Sequence, residues 1–231
     1  MPARNSRKQY LENGYYHLYN RGVEKRKIFL DRQDYNVFLS YLKEYLLPKD
    51  EESLYKRLAD RSISLMERDN IHKTLRMNNF AGEITLLAYC LMPNHFHFFI
   101  KQKSAGSIDK FMNSLGTRYT MYFNKKYDRV GSLYQGVYKA VSITKESQFI
   151  YLSKYIHKQA LPMQGEALQK TQPSSFGEYV GDRKTAWVFP KEVLSYFSKT
   201  NPSLSYKSFV LESPTEEEAT ILNKVIIDDD F

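Results

Sequence analysis

The stretch from Ile84 to Lys101 constrains the fold more than any other. Ile84-Thr85-Leu86-Leu87-Ala88-Tyr89-Cys90-Leu91-Met92 is almost continuously apolar, the pattern of a central strand covered on both sides. Pro93-Asn94 then turns the chain, because Pro cannot donate to a ladder and Asn favours turns. The segment from His95 to Lys101 runs back, so the two strands make a hairpin. Residues i and i+2 of a strand share a face. His95 and His97 therefore project together, while Phe96 and Phe98 anchor the opposite face. Two neighbouring imidazoles begin a divalent metal site without completing one. Taken alone, such a pair is more often structural.

The hairpin sits inside a longer alternation. Gly14 to Gly22 is aromatic-rich and closes on Asn20-Arg21-Gly22, which reads as a first strand with Tyr15, His17 and Tyr19 on one face and Tyr16 and Leu18 on the other. An acidic start at Asp31 or Asp34 leads into Tyr35, Phe38, Leu39, Leu42, Tyr45 and Leu46, an amphipathic helix ended by Pro48. Residues 49–82 read as an excursion, helical from Leu54 to Leu65 and otherwise loop, closed by Gly82. After the hairpin, Ser107 to about Tyr127 carries the stripe Ile108, Phe111, Met112, Leu115, Tyr119 and Tyr122. A fourth strand is expected over Tyr134–Ile143. Thr144 is expected to cap a further helix from about Lys145 to Gln159. Beyond Pro162 and Pro173, Trp187 and Phe189 are expected to pack back on the body, with short helices over Pro190–Phe197 and from Tyr206.

The order β-α-β-β-α-β plus an added helix predicts an α+β fold: a ferredoxin-like split βαβ antiparallel sheet with helices on it. Residues 1–185 form the main domain, with 49–82 as an insertion, and residues 186–231 a C-terminal extension with an acidic tail. That plan serves RNA-binding modules and many enzymes, so it does not decide function.

Charge narrows the partners. The chain of 231 residues carries a formal net charge of +8. Residues 101–145 hold net +7, residues 1–30 net +5, and residues 211–231 net −6. A basic body of this kind suits a polyanion, and equally a solvated basic surface. Cys90 is the only cysteine, which excludes an intrachain disulfide and a cysteine-rich zinc site and fits a reducing cytosol. No apolar run reaches the roughly 18 residues of a membrane span. A cytoplasmic protein without membrane contact is expected.

The helix after the fourth strand offers what the histidine pair lacks. Tyr151, Tyr155 and Gln159 are four residues apart and stack along one helical face. If that face abuts His95 and His97, Gln159 Oε1 completes a neutral three-ligand site for Mg²⁺ or Mn²⁺. The Tyr155 hydroxyl then lies beside it as a nucleophile toward a phosphodiester. A nearby metal, Lys154, Lys158 or a metal-bound water is available to assist its deprotonation. The bland reading is a packing tyrosine and a solvated glutamine.

Several motifs in order carry a family resemblance. Leu91-Met92-Pro93-Asn94-His95-Phe96-His97 resembles the His-hydrophobe-His motif of the small single-tyrosine HUH transposases, including the REP-associated tyrosine transposases. Tyr16 to Gly22 is similar to that family's first strand, and Gly131-Ser132-Leu133-Tyr134-Gln135-Gly136 to the segment entering its fourth. Tyr155-Ile156-His157-Lys158-Gln159 matches its tyrosine helix, and Ser174 to Tyr179 a downstream segment. The resemblance covers roughly residues 14–185. Three departures stand out: the length of 49–82, Val137 where many relatives carry Arg, and Ala160-Leu161-Pro162 after the glutamine.

The resemblance implies a metal-dependent single-stranded DNA endonuclease and strand transferase. Tyr155 would form a 5′-phosphotyrosine and release a 3′-hydroxyl, and His95, His97 and Gln159 would hold the metal. DNA transposition or the processing of REP-type hairpins would be the task, on single-stranded DNA bearing a hairpin. Arg21, Lys101, Lys103, Lys110, Arg118, Lys125, Lys126, Arg129 and Lys139 are the candidate DNA contacts, with Arg4, Arg7 and Lys8 as a further basic arm. Lys139 could replace the contact that Val137 lacks. Relatives include homodimers whose tyrosine helix serves the partner's site, so action in cis and in trans both stay open. The rival readings are a domesticated hairpin-binding protein without mobility, an RNA-binding ferredoxin-like module, and a replication-initiator nickase.

Overall fold

The computed structural model describes residues 10–161 and 172–223. The basic arm with Arg4, Arg7 and Lys8, Pro162, and the acidic run Asp228–Asp230 lie outside the described residues. Four strands form one sheet: β1 (Tyr15–Arg21), β2 (Ile84–Met92), β3 (His95–Gln102) and β4 (Lys139–Ile143). Their order is β2-β3-β1-β4 and every neighbouring pair is antiparallel. This is the split βαβ arrangement, with β3 inserted between β1 and β2. Pro93 and Asn94 are the whole hairpin turn, since Met92 already pairs with His95.

Alternation along the strands sends side chains into two cores. Tyr16, Leu18, Phe96, Phe98 and Ile100 face α1 (Arg32–Leu46) and, after α2 (Glu51–Ala59) and α3 (Leu65–Arg76), α4 (Ser107–Lys126). Leu87, Ala88, Cys90 and Phe99 face α5 (Glu146–Ala160) on the other side. A bulge between Leu86 and Ala88 turns Leu87 and Ala88 both toward α5, which one strand register cannot do. The near-continuous apolarity of β2 has its cause here: helices cover both of its faces.

The start of α1 is tied to the end of α4 by a buried carboxylate. Asp31 caps α1 and forms a capping box with Asp34. Asp34 is fully buried. It accepts from the Leu30 amide (2.8 Å), Lys126 Nζ (2.8 Å), the Tyr127 hydroxyl (2.8 Å) and the Tyr122 hydroxyl (3.0 Å). Burial opposes its charge, but these donors together outweigh that and hold the carboxyl below its ordinary value.

The structure corrects four local expectations. Leu54–Leu65 is not one helix. Residues 49–82 hold α2 (Glu51–Ala59) and α3 (Leu65–Arg76), separated where Asp60 accepts from the Ser62 amide at 2.8 Å in a local turn and Ser64 caps α3. The pair is joined by Arg57 to Glu67 at 2.7 Å. The fourth strand begins at Lys139, not Tyr134. Tyr134 makes only an isolated bridge to Gly22, and the looped backbone lets both Tyr134 and Tyr138 enter the core. Thr144 does not cap α5; Gln148 Oε1 accepts the amides of Thr144 (3.1 Å) and Lys145 (3.2 Å) instead. Trp187 packs on Tyr89 with ring centroids 5.6 Å apart, whereas the Phe189 ring is 46% exposed.

The C-terminal part adds α6 (Phe176–Val180), α7 (Lys191–Leu194), α8 (Tyr206–Leu211) and α9 (Glu216–Leu222), which contribute Tyr179, Val193, Tyr206 and Val210 to the α5 core. The short helices over 190–197 and from Tyr206 are therefore present.

We predict that Asp34→Asn destabilises the fold at pH 7 by about 2–4 kcal/mol, because Lys126 loses its buried partner. A carboxyl held below its ordinary value stabilises the fold above its unfolded pKa and loses that stabilisation as pH falls through the lowered folded value. Denaturant titrations should therefore show the deficit of the variant narrowing below about pH 4.

Candidate active site

The odd-numbered residues of β1 and β3 all face α5. Antiparallel register sets Tyr19 opposite His97 and Arg21 opposite His95, and Tyr19 also opposite Lys139. Directly opposed residues of antiparallel strands point to the same side. One row across the sheet therefore reads His97, Tyr19, Lys139, and the next reads His95, Arg21. Gly22 lets β1 end tightly here. A Cβ at Gly22 would lie 2.3 Å from the Arg26 carbonyl oxygen, and its amide donates to Asn94 O at 2.8 Å across the hairpin turn.

Helix α5 lies on this face. The Tyr155 ring meets His97 edge-on at 5.4 Å between centroids, and His17 at 6.2 Å. Gln159 Oε1 lies 3.2 Å from His95 Nε2. The four residues singled out from the sequence, Tyr155, His95, His97 and Gln159, thus come together within one chain. Tyr151 does not join them; its ring stacks on Phe209 at 6.0 Å.

Each histidine is oriented by a neighbour. His95 Nδ1 is 2.6 Å from Asn94 Oδ1, and that amide is aimed by Asn94 Nδ2 donating to Lys25 O at 3.4 Å. An amide oxygen only accepts, and of the two amide oxygens facing the ring Asn94 Oδ1 at 2.6 Å is much closer than Gln159 Oε1 at 3.2 Å, so the hydrogen is assigned to Nδ1 and the lone pair to Nε2. Gln159 then sets an acceptor oxygen against that lone pair, a contact that invites a cation between them. His97 is fully buried, and its Nε2 has no hydrogen-bond partner among the described residues. Burial, with the nearby His17, His95 and Arg21, holds the His97 imidazole neutral, well below its ordinary pKa. Two imidazoles, one with an orphaned ring nitrogen, and an amide oxygen fit Mg²⁺ or Mn²⁺ in a mixed N/O site. No cluster of three or more His, Cys, Asp and Glu suited to a metal occurs among the described residues. The third donor here is an amide.

The opposite face of α5 fixes its position. His157 is fully buried, and burial pushes its imidazole down to about 3. It bridges the Tyr206 hydroxyl (2.6 Å) and Ser175 Oγ (2.7 Å), and Ser175 Oγ accepts the Tyr89 amide of β2 at 2.8 Å. Lys154 forms a buried ion pair with Glu218 of α9 at 3.0 Å. Lys158 donates to Glu212 O at 2.9 Å. The expectation that Lys154 or Lys158 assists Tyr155 is therefore corrected: helical geometry turns both toward the C-terminal helices.

The basic residues divide. Lys101 pairs with Glu192 at 3.1 Å, Arg118 with Glu44 at 2.7 Å, and Lys126 with Asp31 at 2.7 Å and Asp34 at 2.8 Å. Arg129 donates to Asn124 at 3.0 Å. Lys103, Lys110, Lys125 and Lys139 are exposed. Of the nine candidates, Arg21, Lys101 and Lys139 share the face of the histidines, with Lys101 at the far end of β3 and engaged by Glu192. The aromatics Tyr134 and Tyr138 are buried and so serve the core.

Sequence reasoning missed His17 and the orienting role of Asn94. His17 faces His97 at 2.9 Å between ring nitrogens. The alternation Tyr15, His17, Tyr19 had identified its face; only the pairing of β1 with β3 identifies its neighbour.

Residues 60–159 match the family described as "Transposase IS200 like", a span that includes His95, His97, Tyr155 and Gln159. The sequence resemblance to that family is thereby supported over this span of the chain. No curated protein matches the chain. Among solved structures, the chain is similar to a REP-associated tyrosine transposase bound to a REP hairpin, at 9% identity and a TM-score of 0.46, covering 80% of this chain and 96% of that one. A candidate transposase from Deinococcus radiodurans R1 matches at 16% identity and a TM-score of 0.28, covering 67% of this chain and 97% of that one. No helix of the described residues is long and apolar enough to cross a membrane.

We predict that His157→Ala lowers stability by about 2–4 kcal/mol, through the cavity and the abandoned Tyr206 and Ser175 hydroxyls. Hydrogen exchange should accelerate across α5 more than across α1. Uniform exchange in both helices would show that His157 does not anchor the tyrosine helix.

Proposed function

We propose that the chain is a metal-dependent single-stranded DNA endonuclease and strand transferase that acts through a covalent 5′-phosphotyrosine. One observation carries this reading: Tyr155 and Gln159, from one helical face, meet the histidine pair, with Gln159 Oε1 3.2 Å from His95 Nε2 and the Tyr155 ring 5.4 Å from that of His97. His95 Nε2, His97 Nε2 and Gln159 Oε1 would hold Mg²⁺ or Mn²⁺. A divalent ion there would polarise the phosphodiester and offset charge on the leaving oxygen.

The protein's own groups supply the rest. The Tyr155 oxygen attacks phosphorus in line and the P–O3′ bond breaks. The Tyr155 hydroxyl is buried, so its proton would pass to a water admitted with the DNA, and the departing oxygen takes up a proton to become a 3′-hydroxyl. Attack by another 3′-hydroxyl on the phosphotyrosine reverses these steps and rejoins DNA, so the bond energy is conserved and no nucleotide cofactor is required. Half-burial of Tyr155 against His17 and His97 orients the ring and limits its motion, which favours a near-attack geometry. Arg21 and Lys139, on the same face, are the backbone contacts nearest the break. Lys103, Lys110 and Lys125 are contacts farther out. Such contacts set affinity and strand register with little base information. By the family resemblance, the substrate is single-stranded DNA beside a hairpin, serving transposition or REP-type processing in the cytoplasm. Because α5 lies on its own sheet, the reading assigns Tyr155 to the site of its own chain.

With Mn²⁺ or Mg²⁺, the protein should become covalently attached to hairpin-bearing single-stranded DNA, seen as an adduct on a denaturing gel. Tyr155→Phe should give no adduct, and chelation of the metal should prevent it in the wild type. An undiminished adduct from Tyr155→Phe would discard the nucleophile. His95→Ala cleaving at the wild-type rate would discard the ligand set.

Arg21→Ala and Lys139→Ala should each weaken DNA binding. Each should reduce the slope of log K against log salt by about 0.7 if one single-strand phosphate contact is lost. Lys101→Ala should change that slope least, since Glu192 already engages it. An equal change in all three would show that proximity to the histidine row does not select the contacts.

A further inference from the structure

His17 and His97 are both fully buried. They face each other through His17 Nε2 and His97 Nδ1 at 2.9 Å. Their rings lie within 19° of a common plane with centroids 5.1 Å apart, the separation of two imidazoles meeting edge to edge through one N–H···N bond. A single hydrogen occupies that contact, so one ring donates and the other accepts. If His17 donated, His97 would carry its own hydrogen on Nε2, a buried donor with no partner among the described residues. Buried N–H groups are seldom left orphaned. If His97 donates from Nδ1, its Nε2 keeps a lone pair, and the two histidines match, since the 2.6 Å contact with Asn94 favours the same tautomer in His95.

We infer that His17 is a positioning residue: its Nε2 accepts the Nδ1–H of His97 and holds His97 in the tautomer whose Nε2 can bind a metal. This inference rests on the metal reading of the site. Ligating histidines are generally backed by an acceptor at the second ring nitrogen, often a carboxylate or a carbonyl. An imidazole in that place supplies the acceptor without adding charge, and its ring also forms part of the wall against Tyr155 at 6.2 Å. The pair is set by the fold itself, because β1 and β3 are hydrogen-bonded neighbours, with His17 opposite Phe99 and Tyr19 opposite His97.

The test combines nitrogen-15 imidazole spectra of the metal-free protein with Mn²⁺ titrations followed by electron paramagnetic resonance. His17→Phe keeps the ring and removes the acceptor; His17→Gln restores an acceptor of similar reach; His97→Ala removes the ligand. We expect the wild-type His97 signal to be that of the Nδ1–H tautomer. Mn²⁺ affinity should fall on the order of 10–100-fold in His17→Phe and largely recover in His17→Gln. An Nε2–H tautomer in the wild type overturns the inference, as does unchanged affinity in His17→Phe alongside lost affinity in His97→Ala. Unchanged affinity in His97→Ala instead overturns the metal reading itself. Should His17→Phe fail to fold, the wild-type tautomer and the His17→Gln affinity decide the matter alone.

Discussion

The proposed centre depends on the packing of α5 across the β2–β3 face of the sheet. The histidines sit on β3, while the tyrosine and the glutamine sit about sixty residues later. Neither half is a site alone. The two are brought together because β2 turns Leu87, Ala88 and Cys90 toward α5, which answers with Phe149, Leu152, Ile156 and Ala160. Burial of such side chains stabilises by roughly 1.5–3 kcal/mol each. Packing then decides the rotation of the helix, and with it which residues look at the histidines.

Two polar contacts sharpen that rotation. His157 hydrogen-bonds to Tyr206 and Ser175, and Lys154 pairs with Glu218. Both contacts lie on the side of α5 away from Tyr155. Hydrophobic packing tolerates small rotations; a buried imidazole with two partners does so far less, since each lost bond strands a polar group. The C-terminal helices therefore do more than lengthen the chain: they hold the helix that carries Tyr155 against its own sheet.

Much of this was legible in the residues. Period-two alternation in His95–Phe98 and the i, i+4 spacing of Tyr155 and Gln159 predicted which side chains share a face, and the element order predicted the sheet. What stayed hidden depends on pairing across long sequence separations. The split βαβ plan places β3 beside β1, but no local pattern gives their register, so the His17–His97 contact could not be read from either strand. The same holds for Lys154 and Lys158, whose orientation is decided by helices after residue 190. Misplaced boundaries had local causes: Asp60 and Ser62 close a turn inside an otherwise helical stretch, and Tyr134 and Tyr138 both enter the core by abandoning strand geometry. The list of basic residues was too generous because composition counts charges without their partners; Glu192, Glu44, Asp31 and Asp34 already engage several of them.

The central claim is that His95, His97 and Gln159 form one cation site beside Tyr155. Crystals of the wild-type protein grown with Mn²⁺, measured at a wavelength where manganese scatters anomalously, test it most directly. The account predicts a single strong anomalous peak within bonding distance of His95 Nε2, His97 Nε2 and Gln159 Oε1. A peak bound elsewhere on the chain, with none beside these three side chains, would contradict it.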